Sequence, residues 1–255
     1  MKSKRIESLP MVPEINTGPG PSYIDKVVIH QPRVVCLTPR SEIHRQLAIC
    51  EFAGRRSHHL LWDQSETDFL MSPSLYPIER VAGTHEFLSR RLDAKPPHAT
   101  VIEHANVTFA FLMSRVASHE FVRHRIGSPT QSSTRYIEQE RVLHLVSPYL
   151  NETVEFDISN SIVPDDFPIW AFTCLWAVGA YHALRAAGNK REHARYVLPH
   201  ALATSLVHTT NLRQWSHMIH LRTGKAAAPE MQFLFGKVKE ILDKATDHLL
   251  DKLYE

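Results

Sequence analysis

Three consecutive basic residues, Arg123-His124-Arg125, are followed by a spacer, by the hydroxyl side chains Ser132, Ser133 and Thr134, and by a further Arg135. A guanidinium presents a planar fork of donors matched to phosphate oxygens, and hydroxyls can serve the acceptor positions that remain. Such a set can hold a phosphate-bearing ligand where a regular element ends and a loop begins. An exposed basic helix end followed by a polar turn would show the same residues. Two further blocks carry cations. Arg191, His193 and Arg195 precede Leu198-Pro199, where a solvated helix start is the plain alternative. The third block, Thr204–Arg222, contains Asn211, Arg213, Gln214, His217 and Arg222. Its Leu212, Trp215, Met218 and Ile219 fall on one helical face, with Asn211, Gln214 and His217 on an adjoining stripe. That pattern suits a wall for a heterocyclic ring, and it is also common in any half-buried helix.

Missing patterns narrow the chemistry. There is no HExxH or comparable metal-ligand spacing, no G-x-S-x-G elbow and no P-loop lysine. None of the cysteines, Cys36, Cys50 and Cys174, falls in a cationic block, so a thiol nucleophile is not expected. A site rich in cations and poor in nucleophiles fits a reaction whose chemistry a cofactor carries. The protein then positions anions and stabilises developing charge.

The elements that must position these residues follow from periodicity. Val34–Leu37 reads as a short buried strand between Pro32 and Pro39, and Ser41 as the N-cap of a helix with Ile43, Leu47, Ala48 and Ile49 inward. The region 56–78 reads as mostly loop, and Glu79–Leu92 as a helix stopped before Pro96-Pro97. Val107, Phe109 and Phe111 alternate with Thr108 and Ala110, which predicts a strand. Ser114–Val122 reverts to helical spacing and delivers the basic triplet. Residues 142–163 predict a covering loop or a pair of short strands. Pro168 opens a helix, Ile169–Ala187, closed by Gly188-Asn189, with Trp170, Phe172, Leu175, Trp176 and Leu184 as expected core. Pro229 starts an amphipathic helix that closes the fold, with Phe233, Val238, Ile241, Leu242, Leu249, Leu250 and Leu253 inward and no chemistry of its own.

At 255 residues the chain can bury a substantial core, and 43% hydrophobic with 22% charged residues describes a globular protein. Lys plus Arg (29) nearly balance Asp plus Glu (27), so an anion site must be local rather than a general basic surplus. This argues against a nucleic-acid-binding module, the alternative from another class. Widely spaced cysteines and the lack of a long apolar run predict a cytoplasmic protein with no membrane partner. Residues 1–25, rich in Pro and Gly, predict an irregular N-terminal arm, and 26–255 a single catalytic domain.

Arg123-His124-Arg125, the spacer Ile126–Ser132, then Ser133-Thr134-Arg135-Tyr136 resembles the signature of the flavin-dependent thymidylate synthases, the ThyX family. His98, Thr100 and Glu103-His104 make a second match. Ala194-Arg195 with Leu198-Pro199, and Asn211-Leu212-Arg213 with Leu221-Arg222, extend it, so the motifs lie within residues 98–222. The resemblance implies a ThyX-like α+β fold with a mixed sheet and long helices. It also implies a homotetramer whose sites combine residues from several subunits. Members use FAD, methylenetetrahydrofolate and NADPH to methylate C5 of dUMP; reduced flavin supplies the hydride and no enzyme nucleophile is needed. By position, His98, Thr100, Arg123, His124, Arg125, Asn211, Arg213 and His217 would hold FAD. Glu120, Gln131, Ser132, Ser133, Arg135 and Arg195 would face the nucleotide, the last two with Ser133 mostly through its phosphate. Arg222 would face the uracil and act as the catalytic cation. No metal and no nucleic acid are implied.

The spacer departs from the family pattern. Many members carry Asn-Glu where this chain has Thr130-Gln131, and Pro129 should stiffen the segment. These places lie near the nucleotide in the family. Some relatives, in nucleoside-antibiotic pathways, methylate UMP, and a small Ser132 could admit and hydrogen-bond a 2′-hydroxyl. The missing acid also leaves open a member that binds flavin without turnover.

Overall fold

The computed structural model describes residues 24–56, 64–71, 78–149, 152–160 and 163–253. In chain order the elements are β1 (Lys26–His30), β2 (Arg33–Cys36), α1 (Arg40–Arg56), α2 (Gln64–Met71), α3 (Ile78–Leu92), a 3-10 helix (Ala99–His104), β3 (Asn106–Ser114), α4 (Arg115–Phe121), β4 (Ser128–Gln131), β5 (Val142–Val146), β6 (Val154–Asp157), α5 (Ile169–Ala186), α6 (Arg191–Ala194), β7 (Ala203–Asn211), α7 (Leu212–Thr223) and α8 (Pro229–Ala245). The expected α+β class is found. In place of one mixed sheet there are two: an antiparallel sheet in the order β2-β3-β7-β4, and a small mixed sheet in the order β5-β1-β6. The break between them falls at Gln31-Pro32, where proline supplies no N–H to carry a ladder onward.

The antiparallel sheet is built on β3 and β7, which pair continuously from Asn106 opposite Asn211 to Ser114 opposite Ala203. Val107, Phe109, Phe111 and Met113 point into the main core. Trp215 of α7 is fully buried against them; its Nε1 donates to the Val107 carbonyl at 3.0 Å and its ring meets Phe109 edge-on at 4.9 Å. Phe121 of α4, Phe235 of α8 and Ile43 of α1 complete this core, while Val27, Ile29, Leu143 and Leu145 pack on α5 in a second one. β7 was not foreseen as a strand. Its inward residues include Thr204, His208 and Thr210, so the alternation with Ser205, Val207 and Thr209 is not one of apolar with polar.

Several expectations change. The 34–37 strand exists, but it is the sheet edge, leaving Val35 and Leu37 about half exposed. Ser41 lies inside α1 rather than capping it. The loop expected over 56–78 includes α2, while 57–63 and 72–77 lie outside the described residues. Of the two readings of 142–163, the pair of short strands is the one found, as β5 and β6, which flank β1. Of the core expected on α5, only Leu175 is fully buried; Ala171, Cys174, Leu175 and Val178 set its inner face, and Phe172 is exposed. On α8, Phe233 and Ile241 are only partly buried, and Leu249, Leu250 and Leu253 lie beyond its end. Of the N-terminal arm, only Ile24 and Asp25 are among the described residues.

Trp215→Ala should lower the unfolding free energy by about 3–5 kcal/mol, read as a fall in the urea midpoint. An unchanged midpoint would contradict this packing. His208 gives a second test. Its ring is fully buried edge-on to Phe121 and Trp215, neither nitrogen has a hydrogen-bond partner among the described residues, and burial pulls its pKa down to about 4. The native value lies below the unfolded one of about 6.5, so the stabilisation is complete above pH 6.5 and is lost as pH falls toward 4. His208→Phe should make stability fall less steeply between pH 6.5 and 4; urea unfolding at pH 7 and pH 5 in both proteins checks it.

Candidate functional site

The basic triplet is placed by the end of β3. Ser114, the last residue of that strand, caps α4: its Oγ accepts from the Ala117 N–H at 3.1 Å. Its own N–H and hydroxyl donate to the Glu230 carboxylate of α8, which burial pushes above the usual carboxylate range. Thus α8, in which no chemistry was expected, anchors the helix that carries the triplet. α4 buries Ala117, Ser118 and Phe121, and the chain leaves it through Arg123-His124-Arg125. Gly127 follows at φ 132°, where a Cβ would stand 2.5 Å from the His208 ring, so only glycine fits there. Part of the spacer expected as loop is β4, an edge strand paired with β7; Pro129 suits an edge, where its missing N–H costs no ladder bond.

Glu120, His124 and Arg222 form one hydrogen-bonded group. Arg222 Nε donates to His124 Nε2 at 2.9 Å, and the same guanidinium donates to a Glu120 carboxylate oxygen at 2.9 Å and to the Glu120 carbonyl at 3.3 Å. His124 is buried, and its pKa is pulled down to about 4, first by burial and then by Arg222, His217 and His208. The ring is therefore neutral at pH 7; with Nε2 accepting, its proton sits on Nδ1. The expected catalytic cation and one expected flavin residue thus form a fixed pair.

The remaining candidates fall into separate neighbourhoods. His98 and Thr100 line a cavity of about 400 Å³ with Arg91, Glu103 and His104, and Arg213 reaches its rim through an ion pair with Glu103. Asn211 caps α7, its Oδ1 accepting from the Gln214 N–H at 2.8 Å, while His217 is exposed. Arg123 and Arg125 are exposed and pair with no carboxylate among the described residues. Ser132 and Ser133 line a groove of about 470 Å³ together with His30, Arg33 and His144. The Ser132 hydroxyl is shared with that of Ser205 at 2.5 Å, and the Gln131 amide donates inward to Ser118 at 2.8 Å and to Thr204 at 3.1 Å. Arg135 pairs with Glu192 at 3.3 Å, whereas Arg195 lines a cavity of about 270 Å³ with Thr134. None of these cavities gathers all the candidates. Arg115, His119 and His200, which also line the last cavity, stand in none of the three cationic blocks, and only the fold brings them to Arg195. Of possible metal ligands, Asp243, His248 and Asp251 converge, but Lys239 bridges the two carboxylates at 2.7 and 3.3 Å.

A protein described as "Flavin-dependent thymidylate synthase" from Thermococcus onnurineus is 36% identical over 137 residues, 53% of each chain. The match thus spans about half the length of that relative. One of the same description from Mycobacterium avium is 29% identical over 193 residues, 73% of this chain and 71% of the other. The crystal structure of Thymidylate Synthase X from Helicobacter pylori with FAD and dUMP has the same fold: TM-score 0.60, 23% identity, 88% of this chain and 99% of that one covered. So does the UMP/dUMP methylase PolB from Streptomyces cacaoi bound with 5-Br dUMP: TM-score 0.59, 18% identity, 89% and 95% covered. The model of the family described as "Thymidylate synthase complementing protein" matches residues 42–246, and the chain belongs to that family.

Proposed function

We propose that the protein methylates C5 of a uracil nucleoside monophosphate, dUMP or UMP, using methylenetetrahydrofolate as carbon donor and FAD with NADPH as the reducing system. The observation that carries this reading is the Glu120–His124–Arg222 group, which joins the basic triplet to the end of α7 and holds one guanidinium in a fixed orientation. Bound FAD would supply the hydride that reduces the transferred carbon to a methyl group. The donor set fits such a cofactor. Arg123 and Arg125 lack acid partners among the described residues and so are open to a pyrophosphate, and His98, Thr100, Asn211, Arg213 and His217, which lie apart from them in one chain, would join them from a neighbouring subunit. Neutral His124 can donate from Nδ1 without adding charge beside Arg222. The nucleotide would lie against Glu120, Gln131, Ser132, Ser133, Arg135 and Arg195, with Arg222 at the uracil stabilising negative charge on the ring.

The homotetramer belongs to this proposal, because the flavin and nucleotide residues occupy separate neighbourhoods of one chain and neighbouring subunits would bring them together. So does a cytoplasmic location. UMP is a substrate alongside dUMP in this reading, with the paired Ser132 and Ser205 hydroxyls meeting the 2′-hydroxyl.

Arg222→Ala should lower the turnover of dUMP by about 10²–10³-fold. Anaerobic reduction of the flavin followed by stopped-flow reoxidation on adding dUMP and methylenetetrahydrofolate reads this step, and wild-type rates in the variant would sink the assignment. Ser132→Ala should lower kcat/KM for UMP relative to dUMP by roughly fivefold to tenfold, the worth of one neutral hydrogen bond. A wild-type protein that methylates dUMP and ignores UMP ends the ribonucleotide part of the proposal.

A further inference from the structure

The cavity of about 270 Å³ between the start of α4 and residues 195–200 joins Thr134, Arg195 and Leu198-Pro199, which the family motifs contain, to Arg115, His119 and His200, which they do not. Arg115 and Arg195 both face it, with Thr134, His119 and His200, and no carboxylate contributes to its wall. Several nearby arginines do have an acid: Glu138 pairs with Arg185 and Arg191, Glu192 with Arg135, and Glu120 with Arg222. Arg115 has a single long hydrogen bond, to the Ser132 carbonyl at 3.4 Å, and Arg195 has no ion pair among the described residues. Burial, and then the field of Arg195, push the Arg115 guanidinium below its ordinary pKa. Two like charges kept together with no ion-paired acid among the described residues are costly unless an anion lies between them.

The walls are fixed to one another by backbone bonds. The Arg115 N–H donates to the Leu202 carbonyl at 3.0 Å, Val116 N–H to His200 at 3.2 Å, and Ser132 N–H to Ser205 at 3.0 Å. The His119 and His200 rings meet edge-on at 5.4 Å and close one side with further potential donors. Arg115 and Thr134 also line the larger groove that holds Ser132, Ser133 and Ser205 together with Glu138 and Glu140, so they stand on the partition between the two spaces. A phosphate in the small pocket would leave an attached sugar at the serine hydroxyls.

We propose that this pocket binds the 5′-phosphate of the nucleotide between Arg115 and Arg195, and that Arg115 is a specificity-determining residue through which the protein requires a phosphorylated nucleoside. The inference rests on the nucleotide-methylating reading above and assigns a residue that lies outside its motifs.

The test is calorimetric titration of the FAD-loaded protein with dUMP, with deoxyuridine and with inorganic phosphate, for wild type, Arg115→Ala and Arg115→Lys, with circular dichroism melts confirming that the variants fold. Wild type should prefer dUMP to deoxyuridine by at least about 100-fold, two charge-assisted contacts being at stake. Arg115→Ala should weaken dUMP by about 10–100-fold and leave deoxyuridine unchanged, with Arg115→Lys between the two. Inorganic phosphate should compete with dUMP in the wild type and much less in Arg115→Ala. Folded variants that bind dUMP like the wild type overturn the clamp while leaving the nucleotide reading intact. Equal losses for dUMP and deoxyuridine also overturn it. A wild type that takes up phosphate through Arg115 but binds neither dUMP nor UMP keeps the anion pocket and refutes the nucleotide reading.

Discussion

The pairing of β3 with β7 is the constraint on which the rest depends. The strands run antiparallel over their whole length, and each is followed directly by a helix, so α4 and α7 start at opposite ends of the sheet. Both helices lie on the same face, since Phe121 and Trp215 share Phe111, His208 and Phe235 as neighbours. α7 is ~18 Å long and α4 ~10 Å, together close to the ~30 Å of the strands they run back along. Their C-terminal ends must therefore meet. That meeting is where Arg222 finds His124 and Glu120. A one-residue slip between the strands would turn Phe109 and Phe111 out of the core and separate the group.

Charge placement is the second organising feature. The near balance of basic and acidic residues hides an uneven distribution, in which many surface arginines are neutralised by nearby acids while Arg115, Arg123, Arg125 and Arg195 have no ion pair among the described residues. Those four flank the segment from α4 to β4 or its neighbour at residue 195. The burial of His124 suits this scheme, because a neutral imidazole can accept from Arg222 without repelling it. At Arg115, Arg123, Arg125 and Arg195 an anion would break no ion pair seen among the described residues, whereas Arg135 and Arg213 would have to share theirs with Glu192 and Glu103.

Much of this was legible in the sequence where a periodicity and a cap coincided. The apolar alternation of Val107, Phe109 and Phe111 marked β3, and helical spacing after Ser114 marked α4. The basic triplet and the Ser133–Tyr136 run carried the family resemblance. What stayed hidden depends on contacts between distant segments. β7 turns threonines and a histidine inward, because it lies between two strands and beneath Phe121 and Trp215, so hydrophobicity could not mark it. On α5 the large aromatics are a poor guide to the inner face, since Ala171, Cys174, Leu175 and Val178 form it, with Trp170 packed at its edge and Phe172 outside. Glu230 is an acid in the first turn of α8, and only the tertiary fold brings it to the cap of α4. Arg115 escaped notice for the same reason, its partners being nearly twenty or more residues away along the chain.

The central claim is that cations organised by these two helices serve a methylation whose reducing electrons come from a flavin. The transferred carbon of methylenetetrahydrofolate must gain two electrons to become a methyl group, and either the flavin or the folate ring can furnish them. Identifying the folate released per methylated nucleotide therefore tests the claim most directly. Tetrahydrofolate formed in equal amount with the methylated product, with one NADPH consumed for each, is the predicted result. Release of dihydrofolate, or methylation that proceeds without reduced flavin, would contradict the account.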